Sequence, residues 1–291
     1  MHSPYFHDIV LDTETKAASY LATENIKRQT NIDAKLDSGT SNLSGMALLS
    51  DKRMILCDFK NASVKLLDLK IGRLVSSLHL SSNPWDVCIL PEQHAAVTLP
   101  HEGKIQILKT KENIALVTSI KTRKECRGIL FWKNKLFLTF EGGALQMINL
   151  KGVVIQEVKT GEMFKWPFYI TLTGKEPTLF VSDAVRNSVT KYDLQFNILA
   201  TMKNEALIGT RAIVPVDDCH LLVCGRESKK LLLLNTETQE MKVLLGPNEE
   251  NLCAQCVCYS RELGKLYITC IEDGNAGVCD SVKVFDVKVN G

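Results

Sequence analysis

The chain has 291 residues, 45% of them apolar and 23% charged, with a formal net charge of only +2 and a pI of about 8.0. That balance excludes a polycationic nucleic-acid arm and a disordered acidic chain, and it supplies enough apolar material for one large core. No apolar run approaches the ~18 residues of a membrane span. Residues 1–10 lack the basic start and long apolar centre of a secretory signal, so the expected setting is the cytoplasm.

Residues 1–30 carry scattered apolar side chains (Ile9, Val10, Leu11, Tyr20, Leu21) without a sustained period. They read as a flexible arm, with a short helix around residues 15–25. Residues 31–36 then alternate Ile32, Ala34 and Leu36 against Asn31, Asp33 and Lys35, the pattern of a half-buried strand. A Ser/Gly/Thr/Asn-rich stretch leads to the first innermost strand at residues 46–49.

The organising unit follows at residues 53–69, RMILCDFKNASVKLLDL, two apolar strands joined by a polar turn. Its second strand recurs as VKLLDL, IQILKT, LQMINL, VTKYDL, LLLLNT and VKVFDV, beginning at Val64, Ile105, Leu145, Val189, Leu231 and Val282. The steps are 41, 40, 44, 42 and 51 residues. The preceding strand recurs in step as MILCD, AAVTL, LFLTF, LFVSD, LLVCG and LYITC. Short strands at a period of 40 to 50 are the signature of a β-propeller with one four-stranded blade per repeat. Six copies predict an all-β, six-bladed propeller over residues 31–291, leaving no room for a second globular domain. The WD dipeptide is missing; the fifth position of the recurring strand carries Asp68, Lys109, Asn149, Asp193, Asn235 and Asp286 instead.

The sixth unit holds only three candidate strands before the chain stops. An open blade would leave an exposed sheet edge. The strand at residues 31–36 is therefore expected to close the ring by pairing outside residues 282–287. The hairpin of blade six, residues 271–280, is longer than its counterparts, acidic and glycine-bearing, and lacks the ligand spacing of a dedicated Ca²⁺ site.

The ten cysteines read as structural thiols, since Cys57, Cys88, Cys224 and Cys270 sit inside predicted strands. Cys253, Cys256 and Cys258 have spacing compatible with a zinc knuckle, but no second close pair follows. No cofactor or metal is expected. The predicted innermost strands, MALLS, VCILP, GILFW, YITLT, AIVPV and CVCYS, are almost free of carboxylates, with Asp86 and Asp217 near strand ends. That argues against a metal-dependent lactonase or esterase, and the chain is not expected to be an enzyme.

Strand parity puts the turn between strands two and three on the same face as the link into the next blade, and loops on a rigid scaffold are where function concentrates. On that face Lys60, Trp85, Arg123, Arg127, Trp166, Arg186 and Arg226 are the candidate partner-binding residues. Each indole either anchors a partner or plugs the ring. Lys121, Lys124, Lys165 and Arg211 add to the basic side, while Glu102, Glu141, Glu249 and Glu250 stand among the acidic residues opposing it.

The segments LCDFKNASVKLLDL and FVSDAVRNSVTKYDL, with SSNPWDVCIL followed by HAAVTL, resemble the NHL-type propeller, in particular the divergent propellers at the C-terminus of tripartite-motif proteins. The resemblance covers about residues 31–291. It implies a substrate-recruiting, protein-binding module of the ubiquitin pathway, any ligase activity residing in RING and B-box segments that this sequence does not contain. Some such propellers bind single-stranded RNA through a positive face, which is the alternative here, through the basic sector. Pro100, Glu102, Glu141 and Gly142 put no cation on the turns of blades two and three, which weakens that alternative.

Overall fold

The computed structural model describes residues 21, 23–35, 39–50, 52–159, 165–250, 252–271 and 278–287. Among them the chain forms strands β1–β24 in six four-stranded antiparallel sheets, arranged as a six-bladed propeller. Blade one is β2–β5 and blade two β6–β9. Blades three, four and five follow as β10–β13, β14–β17 and β18–β21. Blade six is β22–β24 completed by β1, in the order β1-β24-β23-β22.

Burial falls off from the middle of each blade. All six second strands, β3 (Arg53–Asp58), β7 (His94–Leu99), β11 (Lys135–Phe140), β15 (Thr178–Asp183), β19 (His220–Gly225) and β23 (Lys265–Cys270), have a half-buried first residue followed by five buried ones. These strands lie between two ladder partners and two neighbouring blades, which is why they read as continuous apolar runs. The outermost strands β5 (Arg73–His79), β9 (Ala115–Lys121) and β13 (Val154–Lys159) are mostly exposed.

The ring closes as the sequence predicts. β1 pairs antiparallel with β24 (Ser281–Val287), with Ile32 opposite Val282 and Ile26 opposite Val287. Ile26, Ile32 and Ala34 are buried, and the Ala34 N–H donates to the Asp280 carbonyl at 2.9 Å. The strand runs Ile26–Asp33 and so begins within the stretch read as an arm. Thr23–Asn25 forms a short 3-10 turn. Residues 1–20 and 22 of the arm, Leu36 and residues 272–277 of the blade-six hairpin lie outside the described residues, while Leu21 is buried.

Two repeated side-chain devices explain the repeat's polar positions. Asp68, Asn149, Asp193 and Asn235 each turn a side-chain oxygen onto the N–H two residues on, at 2.8–2.9 Å, capping the turn between strands three and four. The second device joins blades. Innermost strands β2 (Leu43–Leu48), β10 (Cys126–Trp132), β14 (Pro167–Thr173), β18 (Thr210–Pro215) and β22 (Ala254–Ser260) each shift register near their start, and a bulge frees a backbone N–H. A hydroxyl from the neighbouring strand takes it: Thr139 accepts from Gly128, Ser182 from Tyr169 and Thr269 from Cys256. Thr139 also donates to the Pro167 carbonyl of the next blade at 2.9 Å; Thr98, accepting from Asp86, likewise donates to that of Arg127 at 2.8 Å. Glycine is required where the first strands approach most closely: a Cβ at Gly128 would sit 2.8 Å from the Phe168 carbonyl oxygen.

Among the described residues one ion pair is fully enclosed. Lys65 Nζ lies 2.7 Å from Asp58 Oδ2, both side chains wholly buried, and also donates to the Ala34 carbonyl and the Ser41 hydroxyl. Burial pushes the Asp58 carboxyl up, but hydrogen bonds from the Asn42 N–H, Lys65 and Asn61 outweigh it and hold it below the usual range. This pair ties blade one to the closing strand. No described helix is long and apolar enough to cross a membrane.

Candidate functional site

The links between blades and the turns between strands two and three are stitched together on one face. Ala184 N–H donates to the Trp166 carbonyl, Gly209 N–H to Asn187 Oδ1 at 2.7 Å, and Arg226 N–H to the Gly209 carbonyl. Around blades two and three the same pattern links Glu125 to Pro100 and Glu141 to Glu125. The candidate residues are therefore held on a continuous, fixed surface.

Their environments differ. Trp85 is 9% exposed, its ring 5.0 Å from Phe168 of blade four and 5.7 Å, edge-on, from Phe59. It is a plug between blades rather than a half-buried anchor. Arg127 covers it, with its guanidinium carbon 4.5 Å from the ring centre, and pairs with both Glu125 and Glu141 at 3.0 and 2.7 Å. Arg123 pairs with Glu157 at 2.7 Å and lies over Phe140, while Lys104 pairs with Glu102. Lys60 donates to Thr40. The basic sector of blades two and three is thus largely neutralised by its own carboxylates.

Blades four and five present a different surface. Trp166, Val185 and Ile208 are 45%, 46% and 42% exposed. The Ala184–Trp166 and Gly209–Asn187 hydrogen bonds join the loop segments that carry them. Arg186 is exposed beside Val185, and Arg226 is half-buried. Arg211, which the sequence places on this face but does not single out, is the second residue of β18 (Thr210–Pro215). Its guanidinium carbon lies 4.2 Å from the Phe168 ring centre, and Nε and Nη1, shut off from solvent, have no hydrogen-bond partner among the described residues. Burial lowers its pKa to about 10. The Trp85 Nε1 donor is likewise buried and unpartnered.

Below the plug the channel holds a cavity of about 160 Å³, bounded by Met46, Asp86, Cys88, Ile129, Tyr169 and Cys256 among others. Asp86, which the sequence places near a strand end, is among the residues that line this cavity. Its two oxygens accept from the Val87 and Ile129 N–H groups at 2.9 and 3.1 Å. Burial raises its pKa to about 7, against the lowering effect of those two bonds. Tyr169 Oη donates to the Ser44 carbonyl at 2.5 Å and meets Cys256 Sγ at 3.2 Å, tying three blades across the channel. Cys256 and Cys258 point to the carbonyls of Ser44 and Met46, and burial raises both thiols. Among the described residues no three His, Cys, Asp or Glu side chains come together as a metal site. The sequence places Asp86 near a strand end and Arg211 on the basic side of the face, but the groups that bury them, the Ile129 N–H and the Phe168 ring, come from other blades.

No family profile matches the sequence, and no curated protein sequence matches it. Solved structures do. A streptogramin B lyase superposes with a TM-score of 0.64 at 14% identity, covering 92% of this chain and 90% of its own. Virginiamycin B lyase from Staphylococcus aureus gives 0.62 at 14% identity over 91% and 90%. A catalytically inactive histidine-to-alanine form of that lyase with quinupristin gives 0.62 at 15% over the same shares. These are likenesses of fold. They correct the expectation that this ring is not that of an enzyme, because the same ring serves as a lyase scaffold, and they are not NHL-type propellers. Among the described residues that line the cavity there is no histidine.

Proposed function

We propose that this propeller recruits a partner protein through the link face of blades four and five. One observation carries the reading: Trp166, Val185 and Ile208, three large apolar side chains exposed by 40% or more, stand on loops that are hydrogen-bonded to one another and that also carry Arg186, Arg211 and Arg226. A half-exposed tryptophan rimmed by arginines has the composition of a protein-interaction hot spot. The resemblance to tripartite-motif propellers points the same way, toward a substrate-recruiting role. RNA is the less favoured ligand, since Arg123, Arg127 and Lys104 already have carboxylate partners and a phosphate chain needs several uncompensated cations in a row. All ten cysteines are free thiols and most are buried, which fits a reducing compartment such as the cytoplasm.

The test is site-specific photocrosslinking in cells, with the crosslinker at Val185 or, as control, at Val154 on the outer strand of blade three. The reading requires a discrete protein adduct from Val185, absent from Val154 and lost in Trp166→Ala and Ile208→Asp. Equal adducts from both positions, or adducts indifferent to those substitutions, would overturn it.

A further inference from the structure

We propose that the channel cavity binds a small organic cation, an ammonium group on a short apolar body, seated against the Asp86 carboxylate. Innermost strands have a ladder partner on one side only. The Val87 and Ile129 N–H groups that donate to Asp86 therefore point away from their sheets, and the carboxylate that receives them lies in the channel between blades two and three. A carboxylate can accept about four hydrogen bonds, and this one accepts those two. Asp86 is 8% exposed, and no Lys, Arg or His is found among the described residues that line the cavity. A buried carboxylate without a cation is costly, and an ammonium group brought beside it offsets that cost.

The walls select the kind of cation. A hard divalent ion takes about six to eight oxygen ligands. Asp86 is the one carboxylate on the described lining, and no metal-binding cluster forms among the described residues. The Tyr169 hydroxyl and the Cys256 thiol are both directed to the Ser44 carbonyl. Most of the remaining wall is apolar, with Met46, Ile129, Ile170, Ile213 and Val257. An alkylammonium ion fits such a site, since it carries three donors on a point charge at the end of a hydrocarbon stem. The volume of about 160 Å³ is close to that of a cavity that holds one benzene, so the stem has roughly four to six carbons. Leu130 and Val214, farther along their strands than Asp86 is along its own, are half-buried, and β2, β10, β18 and β22 all end in half-buried or exposed residues. The ligand therefore enters at the strand ends, on the face opposite the interblade links, and this site is separate from the docking surface proposed above.

The experiment is a methyl NMR titration of the full chain with ¹³C-labelled isoleucine methyl groups. Ile129, Ile170 and Ile213 report on the cavity, and Ile155 and Ile198, exposed on outer strands, are controls. The probes are n-butylammonium, Nα-acetyllysine N-methylamide, n-butanol, n-butyrate, potassium and calcium, with sodium chloride matching ionic strength. The expected result is a saturable shift of the three cavity methyls with an ammonium probe, with affinity about tenfold or more above that of n-butanol. Asp86→Asn should lower that affinity about tenfold or more while its methyl spectrum stays folded. If that variant does not fold, the comparison of n-butylammonium with n-butanol in the wild type decides. Tighter binding of n-butylammonium assigns a free amine, and of the lysine derivative a side chain presented by a partner; either supports the site. No saturable shift with either ammonium probe, equal affinity for n-butanol or n-butyrate, tighter binding of potassium or calcium, equal shifts at Ile155 and Ile198, or an affinity unchanged in folded Asp86→Asn would overturn it.

Discussion

The two halves of the link face use the same residue types to opposite ends. In blades two and three, Arg123 and Arg127 lie over aromatic rings and are saturated by Glu157, Glu125 and Glu141. In blades four and five, Arg211 also lies over an aromatic ring but has no acceptor for two of its donors, and the neighbouring tryptophan is exposed. The density of cations is similar; the supply of internal acceptors is not. A surface already satisfied has little to gain from a ligand, whereas an unsatisfied one recovers the cost of its buried donors on binding.

The difference can be pressed hardest at a saturated, fully enclosed pair. Lys65→Met leaves Asp58 buried without its cation and should cost about 3–5 kcal/mol in chemical denaturation. Because the Asp58 pKa is depressed in the folded state, its contribution is present above the unfolded carboxylate range and is lost as pH falls through the folded value. The variant should therefore lose most of the wild type's acid sensitivity in that window. A cost below 1 kcal/mol would mean that internal pairing is not what stabilises these sites.

Asp86 gives the opposite sign. Its folded pKa of about 7 exceeds that of an unfolded aspartate, so its contribution is complete at acid pH and declines as pH rises from about 4 to about 7, by a few kcal/mol. Asp86→Asn should flatten the fall in melting temperature between pH 5 and pH 8; an unchanged fall would assign the pH dependence elsewhere.

The paired comparison is sharper still on the face itself. Arg127→Met removes two ion-pair partners and should destabilise by about 1–2 kcal/mol, discounted because Glu125 and Glu141 are about a third exposed. Arg211→Met removes unpaired buried donors and should be neutral or stabilising by about 1 kcal/mol. Equal destabilisation in urea titrations would erase the distinction between the halves. Trp166→Ala should cost about 1 kcal/mol, since the side chain is 45% exposed and its ring lies 5.9 Å from that of Phe168. Its main effect should appear in partner crosslinking.

Much of this molecule was legible from residues close together in the chain. The period of the recurring strand gives six blades, the short last repeat and alternating Ile32 and Ala34 give the closing strand, and the Asp or Asn at the fifth position caps a turn only a few residues away. All of these depend on local periodicity or on bonds between near neighbours, which a sequence displays directly. Tertiary structure alone decided which arginines are saturated, that Trp85 is a plug while Trp166 is exposed, and that Asp86 enters the channel. Those outcomes depend on partners brought across the ring from other blades, such as Phe168 against Trp85 and the Ile129 N–H against Asp86. A cation and its eventual acceptor, or its lack of one, look the same in the sequence because desolvation and hydrogen bonding are set only when the blades close on one another.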